Sequence, residues 1–339
     1  MFARLSTNET SQRKADHLDL AFEAQVAQAD PRFYYEPLSG NHPTETSSPY
    51  SFLGKTMHSR MWVSSMTGGH RKSGELNRLL ATACGKYGMG MGLGSCRIIL
   101  EDDEFLADFK MRSYCGPDVP LYANLGIAQI EEILRDNRIH VIQELIERTE
   151  TDGLIVHLNP IQEWVQPEGD RIHRPIGESL EQLLGETQFP VIVKEVGQGM
   201  GPESLKKLIS MKVAAIDFGA FGGTNFALLE LLRQQNVDNA HPHKPLVGIG
   251  HTATEMVEFC NDLLLHTPKE EKPSFILSGG VRNYLDGYYL TSKLQAPSVY
   301  AHASAFLAAA QQGENHLHQF IESQLRGFAF ANQFLTVRT

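Results

Sequence analysis

The feature that most narrows the possible folds is a rhythm. Along most of the 339 residues, short apolar runs that close in glycine or polar residues alternate with stretches of helical pattern. The runs are MWVSSM (61–66), GMGMGLG (88–94), PLYANLG (120–126), GLIVHLN (153–159), PVIVKEV (190–196), VAAIDFG (213–219), PLVGIG (245–250), SFILSGG (274–280) and PSVYAHA (297–303). Strand-length runs bounded by turn residues and separated by helices indicate βα units and a parallel sheet. Nine runs are one more than a closed (β/α)8 barrel needs. PLVGIG is short and glycine-rich, and it leads straight into the amphipathic HTATEMVEFCNDLLL, so it is assigned to the connection between strands six and seven. The expected fold is therefore α/β, a (β/α)8 TIM barrel over 61–339, near the usual barrel size of about 250 residues. The alternative is an open doubly wound sheet. It calls for a glycine-rich fingerprint after the first strand with an acidic residue about twenty positions on, and MTGGH does not supply it.

Residues 1–60 read as an N-terminal extension, with a helix over about 15–29 and a polar loop, GNHPTETSSPY (40–50). A single helix is expected from about Ala128 to Thr149. The formal net charge of −10 argues against nucleic acid as a main partner. Cys84, Cys96, Cys115 and Cys260 form no C-x-x-C pair and no zinc spacing, which fits reduced thiols. The first residues contain no apolar signal core, and no run approaches the ~18 apolar residues of a membrane span. A cytoplasmic protein is expected.

Polar residues gather where the expected strands end: Ser65 and Thr67, Ser95 and Arg97, Asn124, His157 and Asn159, Lys194, and Gly279–Gly280, with Asp217 inside strand six. In a barrel these ends share the face where chemistry is placed. The densest cluster is HLNPIQEWVQPEGD (157–170), directly after the apolar GLIV. SGGVRN (278–283) and FGGTNF (221–226) offer backbone N–H groups suited to an anion, and the first follows strand seven, near where barrels bind phosphate. Lys194, inside VIVKEV, needs an anionic partner if buried. RKADH (13–17) by itself reads as a solvated helix start.

Taken together, RKADHLDLA, FLGKT, SSMTGG, GLGSCR, NLG, HLNPIQEWVQPEGDR, VIVKEVGQGM, FGGTNFALLE and SGGVR resemble the type 2 isopentenyl-diphosphate delta-isomerases, in family order from about residue 13 to 310. The resemblance implies a barrel enzyme converting isopentenyl diphosphate to dimethylallyl diphosphate. It implies FMN in its reduced form, with NADPH as reductant, a magnesium ion on the diphosphate, and a homo-oligomer, often a tetramer or octamer. By position it implies Glu163 as the magnesium ligand and Gln162 beside the isoprenyl group. His157, Asn159 and Arg97 hold the substrate, and Arg13, Lys14 and His17 meet its diphosphate. Gln162, His157 and Glu230 are the candidate catalytic residues. Ser65, Met66, Thr67, Ser95, Asn124 and Thr224 are implied FMN contacts, with Lys194 near the flavin N1 and C2 carbonyl. Gly279, Gly280 and Arg282 match the FMN phosphate site, closed by Ala303 and Ser304. Glu168 and Asp170 are left to the structure of the PEGDR turn. The chain departs from the family pattern at Cys96, where glutamine is usual, and at Tyr300, where glycine is common. The rival reading is another FMN barrel, an oxidoreductase of the 2-hydroxy acid or dihydroorotate type.

Overall fold

The computed structural model describes residues 7–46, 49–65, 71–100, 102–234 and 241–338. An exposed helix α1 (Thr7–Leu20) leads to the short strands β1 (Phe33–Tyr35), β2 (Tyr50–Phe52) and β3 (Lys55–Met57). Eight parallel strands then close on themselves in chain order: β4 (Met61–Val63), β5 (Gly90–Gly92), β6 (Leu121–Gly126), β7 (Gly153–Leu158), β8 (Val191–Glu195), β9 (Ala215–Asp217), β10 (Ser274–Leu277) and β11 (Ser298–His302). They fall on the eight runs assigned to strands from the sequence. PLVGIG instead contributes to a 3-10 helix, Lys244–Gly248, held to the preceding loop by Asn225, whose amide donates to the Val247 carbonyl.

The long connecting helices are α2 (Arg71–Tyr87), α4 (Ile127–Arg135), α5 (His140–Thr149), α7 (Ile176–Glu186), α8 (Pro202–Ser210), α10 (Ala253–Leu263), α11 (Tyr284–Lys293) and α13 (Glu314–Phe334). Shorter pieces are α3 (Arg112–Cys115), α6 (Pro160–Val165), α9 (Phe226–Arg233) and α12 (Ser304–Gln311). The strands are buried on both faces, the inner by one another and the outer by helices, so they read as continuous apolar runs rather than alternating ones.

Alternation still decides what each residue faces. Trp62, Tyr122, Ile155, Ile192, Ala215, Ile276 and Val299 share the barrel interior. Two residues further along the same strands stand Ser64, Asn124, His157, Lys194, Asp217, Ser278 and Ala301. An apolar layer thus passes into a polar one toward the C-terminal mouth. The other end is stoppered by the β2–β3 hairpin, whose Phe52 and Met57 join the interior cluster. Lys55 of that hairpin pairs with Asp152 at 2.8 Å, which fixes the plug against the start of β7.

Two helix expectations need correction. The N-terminal helix runs Thr7–Leu20, not 15–29. The chain from Ala24 to Asp30 is exposed and non-helical. The stretch 128–149 is two helices, broken at Asp136–Ile139, where Asn137 takes a left-handed conformation (φ 54). Asparagine tolerates that conformation better than most residues. The extension is also tied to the far end of the chain, since β1 pairs antiparallel with β12 (Leu335–Val337).

Candidate active site

A cavity of about 460 Å³ opens at the C-terminal ends of the barrel strands. Ser65, Ser95, Arg97, Asn124, His157, Asn159, Gln162, Glu163, Lys194, Thr224, Gly279, Gly280, Ala303 and Ser304 all line it, drawn together from strands far apart in sequence. Its walls differ in kind.

The first wall is a lattice of side chains. Pro160 opens α6 directly after β7, a favoured place for proline because its missing N–H would be unbonded there in any case. Gln162 and Glu163 therefore sit in the first helical turn, where a carboxylate is favoured. Asn159 donates from its amide to Glu163 Oε1 at 2.8 Å and to Gln162 Oε1 at 3.1 Å. Gln162 Nε2 in turn donates to Glu230 Oε1 at 3.0 Å. Glu230 is buried on α9 and ion-pairs through its other oxygen with Arg233 at 3.2 Å. His157 Nδ1 shares a hydrogen bond with Asn124 Oδ1 at 2.8 Å. Burial, and then the charge of Lys194, lower the His157 pKa to about 4, so the ring is neutral near neutral pH.

The second wall is mostly backbone. Lys194 and Asp217 are paired across β8 and β9 in register, 3.4 Å apart, and both are buried. The anionic partner required by Lys194 is thus Asp217. Ser278 donates to Asp217 Oδ1 and accepts the Gly219 N–H at 2.8 Å. Above this pair, Gly222–Gly223 and Gly279–Gly280 bring two backbones together. A β-carbon on Gly223 would stand 3.2 Å from the Gly280 nitrogen. The N-terminus of α12, at Ala303 and Ser304, opens on the same space. Backbone N–H groups and a helix start converge there, an arrangement suited to an anion.

These features suit a flat, phosphate-bearing cofactor. Ser65 Oγ is buried with no hydrogen-bond partner among the described residues, and the glycine gap is a cradle that side chains would fill. The described residues contain no group of three or more His, Cys, Asp or Glu placed to hold a metal. A single carboxylate, Glu163, suits magnesium that arrives with substrate phosphates and keeps several waters.

Some candidates stand elsewhere. Met66 and Thr67 lie outside the described residues. Arg13, Lys14 and His17 are exposed on α1 and do not line this cavity. Arg282 is exposed and also off the cavity wall; its backbone N–H donates to Asp286 at 2.8 Å. Glu230 reaches the cavity only through Gln162. Conversely, Ser64, Gln129, Asp170, Ser278 and His302 line it and were not among the sequence candidates. Ser64 and Ser278 follow from alternation once Trp62 and Ile276 are known to face inward. Gln129 carries a local signal, the capping interaction in which its side chain accepts the Gly126 N–H.

Both departures from the family pattern lie behind the wall. Cys96 is buried, its thiol is pushed up to about 12 by burial, and it acts as a packing group. Tyr300 points away from the barrel interior. Its ring stacks on Phe328 and lies where a β-carbon on Gly287 would be, 2.6 Å away.

Several known proteins are similar over nearly the whole chain. An isopentenyl-diphosphate delta-isomerase from Nostoc sp. is 32% identical, covering 93% of this chain and 88% of its own. One from Chlorobium phaeobacteroides is 31% identical, covering 99% and 94%. The chain belongs to the isopentenyl-diphosphate delta-isomerase family. It is an enzyme of that activity, acting on a small isoprenoid substrate. No family model matches it. Among solved structures, a mandelate oxidase mutant with a monooxide FMN adduct superposes with a TM-score of 0.56 over 98% of this chain and 99% of its own, at 14% identity. Flavocytochrome b2 with sulfite bound gives 0.61 over 89% and 72%, also at 14%. At that identity the likeness establishes the barrel fold. Among the described residues, no helix is long and apolar enough to cross a membrane.

Proposed function

We propose that this isomerase works in the type 2 manner, on reduced FMN and with magnesium on the substrate diphosphate. The supporting observation is that Lys194 with the glycine cradle, and the Asn159–Gln162–Glu163 lattice, open on one and the same cavity. Reduced FMN, when bound, supplies an electron-rich ring face and a ring nitrogen able to carry a proton. The mandelate oxidase with its FMN adduct supports that choice of cofactor for this barrel.

The reaction adds a proton at C4 of isopentenyl diphosphate and removes one from C2, without net redox change. In this reading Lys194 lies near the flavin N1 and C2 carbonyl, and the Gly279–Gly280 turn with Ala303 and Ser304 takes the phosphate. Ser65, Ser95, Asn124 and Thr224 would contact the flavin, as would Met66 and Thr67, and Arg282 is assigned to the phosphate site. Glu163 holds the magnesium that neutralises the substrate diphosphate. Arg97, Asn159 and neutral His157 bind and orient the substrate. Gln162 stands beside the isoprenyl group, held there by its donation to the buried Glu230 carboxylate and by the bond it accepts from Asn159. The packed apolar layer below the site closes it from beneath against water, which would otherwise trap positive charge developing at C3.

Arg13, Lys14 and His17 complete the diphosphate site. They stand on an arm whose Phe22 and Val26 are 84% and 88% exposed. Apolar side chains so placed support assembly into a homo-oligomer, a tetramer or octamer. NADPH is the proposed reductant and the cytoplasm the proposed location.

The test is an NMR assay in deuterated water with isopentenyl diphosphate, FMN and magnesium, with and without NADPH. Dimethylallyl diphosphate is expected only in the reduced sample. Bound flavin without conversion would favour the oxidoreductase reading and direct a screen of hydride donors. Glu163→Gln is expected to weaken magnesium-dependent substrate binding and leave FMN bound; loss of flavin in that variant would mean the residue is misplaced.

A further inference from the structure

One residue of the cavity wall has no role in the proposed isomerisation, yet several segments of the chain converge on it. Asp170 closes the PEGD turn after α6. Its Oδ2 accepts from Arg97 Nη1 at 2.5 Å and from Gln129 Nε2 at 2.9 Å. Gln129 has no freedom to turn away, because its Oε1 already accepts the Gly126 N–H at 3.1 Å. The backbone N–H of Asp170 donates to Glu163 Oε2 at 2.7 Å, while Asn159 holds Glu163 Oε1 from the other side. The turn is clasped to α6 by Arg171, whose guanidinium donates to the Glu163 carbonyl at 3.1 Å and lies over the Trp164 ring. Gly169 leaves room for this approach, since a β-carbon there would stand 2.1 Å from that carbonyl.

We propose that Asp170 is a positioning residue for the anionic end of the substrate: its carboxylate sets Arg97 and its N–H sets Glu163. The proposal rests on the isomerase reading, in which Glu163 holds the magnesium of the diphosphate and Arg97 binds the substrate, and it assigns Arg97 to the anionic end. The Arg97 side chain is 57% exposed, and no other hydrogen-bond partner holds its guanidinium among the described residues. A long, exposed arginine loses rotamer freedom when it binds. An arginine already held by a charge-assisted bond has lost much of that freedom before the ligand arrives. Ligand-holding groups oriented by a second residue are a recurrent design at metal–phosphate sites.

The experiment measures calorimetric binding of magnesium pyrophosphate to the FMN-loaded protein, alongside steady-state kinetics. Asp170→Asn keeps the shape and the N–H to Glu163 but removes the charge facing Arg97. It is expected to weaken pyrophosphate binding and raise KM by about tenfold, with kcat changed by less than about twofold and the magnesium midpoint unmoved. Asp170→Glu should restore part of the affinity. In an Arg97→Ala background, Asp170→Asn should add no further loss, because its effect runs through the absent guanidinium. A purely structural turn would give additive losses, and that result overturns the proposal. So does unchanged or tighter binding in Asp170→Asn, which would make the carboxylate a competitor for Arg97. Should Asp170→Asn fail to fold, Gln129→Ala loosens the same carboxylate and is expected to cost about threefold, again only when Arg97 is present. If the wild type binds pyrophosphate but does not isomerise, the functional reading fails while the coupling between Asp170 and Arg97 is still decided.

Discussion

In the proposed function the two walls of the cavity share one task, holding an anion, and they are built for it by opposite means. The wall from β5 to β7 does it with side chains: Arg97, Gln129, Asn159, Gln162, Glu163 and Asp170 form a lattice at the rim. The wall from β8 to β11 does it with backbone and glycine, supported by one buried pair, Lys194–Asp217. The ion pairs of the two walls differ accordingly. Arg97–Asp170 is short, 2.5 Å, but its side chains are 57% and 33% exposed. Lys194–Asp217 is longer, 3.4 Å, with side chains 9% and 1% exposed. The shorter pair matters less to stability, because water screens it and would solvate either partner left alone. The rim can therefore specialise for substrate at little cost to the fold, whereas the cradle is part of the fold.

That contrast is broken most directly at Asp217. Asp217→Ala leaves Lys194 buried without its partner, which is expected to cost about 3–5 kcal/mol in urea unfolding. Arg97→Ala is expected to cost less than about 1 kcal/mol. A double variant, Lys194→Met with Asp217→Leu, should be more stable than Asp217→Ala alone. Equal losses at Asp217 and Arg97 would remove the distinction between the walls. Next in size is Gly279→Ala. Its φ of +87 is left-handed, and a β-carbon would lie 2.0 Å from the Ala220 carbonyl oxygen, which is main chain and cannot swing aside. A loss of about 3 kcal/mol is expected, read from the same unfolding curves.

The pH dependence of stability separates the faces of the strands. His157, facing the cavity, has its pKa lowered from 6.5 to about 4 by burial and then by Lys194. The unfolded chain takes up this proton first, so its contribution is complete above 6.5 and lost as pH falls through 4, about 3 kcal/mol in all. Glu195, facing outward beside Lys194, has its pKa raised from 4.5 to about 6 by burial, although the N–H groups of Gly197, Gln198 and Gly199 oppose the shift. Its contribution is complete below 4.5 and lost as pH rises through 6, about 2 kcal/mol. The slopes oppose each other between about pH 6 and 4.5. Glu195→Gln should therefore steepen the acid-side loss, and His157→Gln should reverse it. Unchanged slopes in urea titrations across that range would show that neither group carries the dependence.

How much of this was legible depends on the same physics. The eight strands could be read because parallel barrel strands are apolar throughout, and PLVGIG could be set aside because a helix pattern came at once after it. The rim was legible too, as the crowd of polar residues from His157 to Asp170. The partner of Lys194 was not, because Lys194 and Asp217 lie 23 positions apart and meet only through the β8–β9 register. Asp170 was visible as a residue and not as a role, since a turn consumes carboxylates for its own bonds as readily as for a ligand. The helix break at Asn137 had a signal in the polar Arg135-Asp136-Asn137-Arg138, which the helical periodicity on both sides outweighed.

The smallest expected effect is the sharpest test of the cradle, because two quantities move in opposite directions. Gly223 does not require a left-handed φ, so alanine can adopt its backbone conformation. The added β-carbon would meet the Gly280 nitrogen at 3.2 Å and the Gly279 α-carbon at 3.4 Å, contacts that a slight shift relieves. Alanine also restricts the unfolded chain, which favours the folded state by up to about 1 kcal/mol. Stability should thus hold or rise slightly. The same methyl group would cover the Gly280 N–H, one of the donors proposed to meet the cofactor phosphate. FMN affinity, read from quenching of flavin fluorescence, should fall about tenfold, while riboflavin, which lacks the phosphate, should lose much less. If both flavins weaken equally, the gap between Gly223 and Gly280 shapes the ring site and not the phosphate site. If neither weakens, the cradle is a packing contact between two loops, and the backbone wall holds its anion at the start of α12 alone.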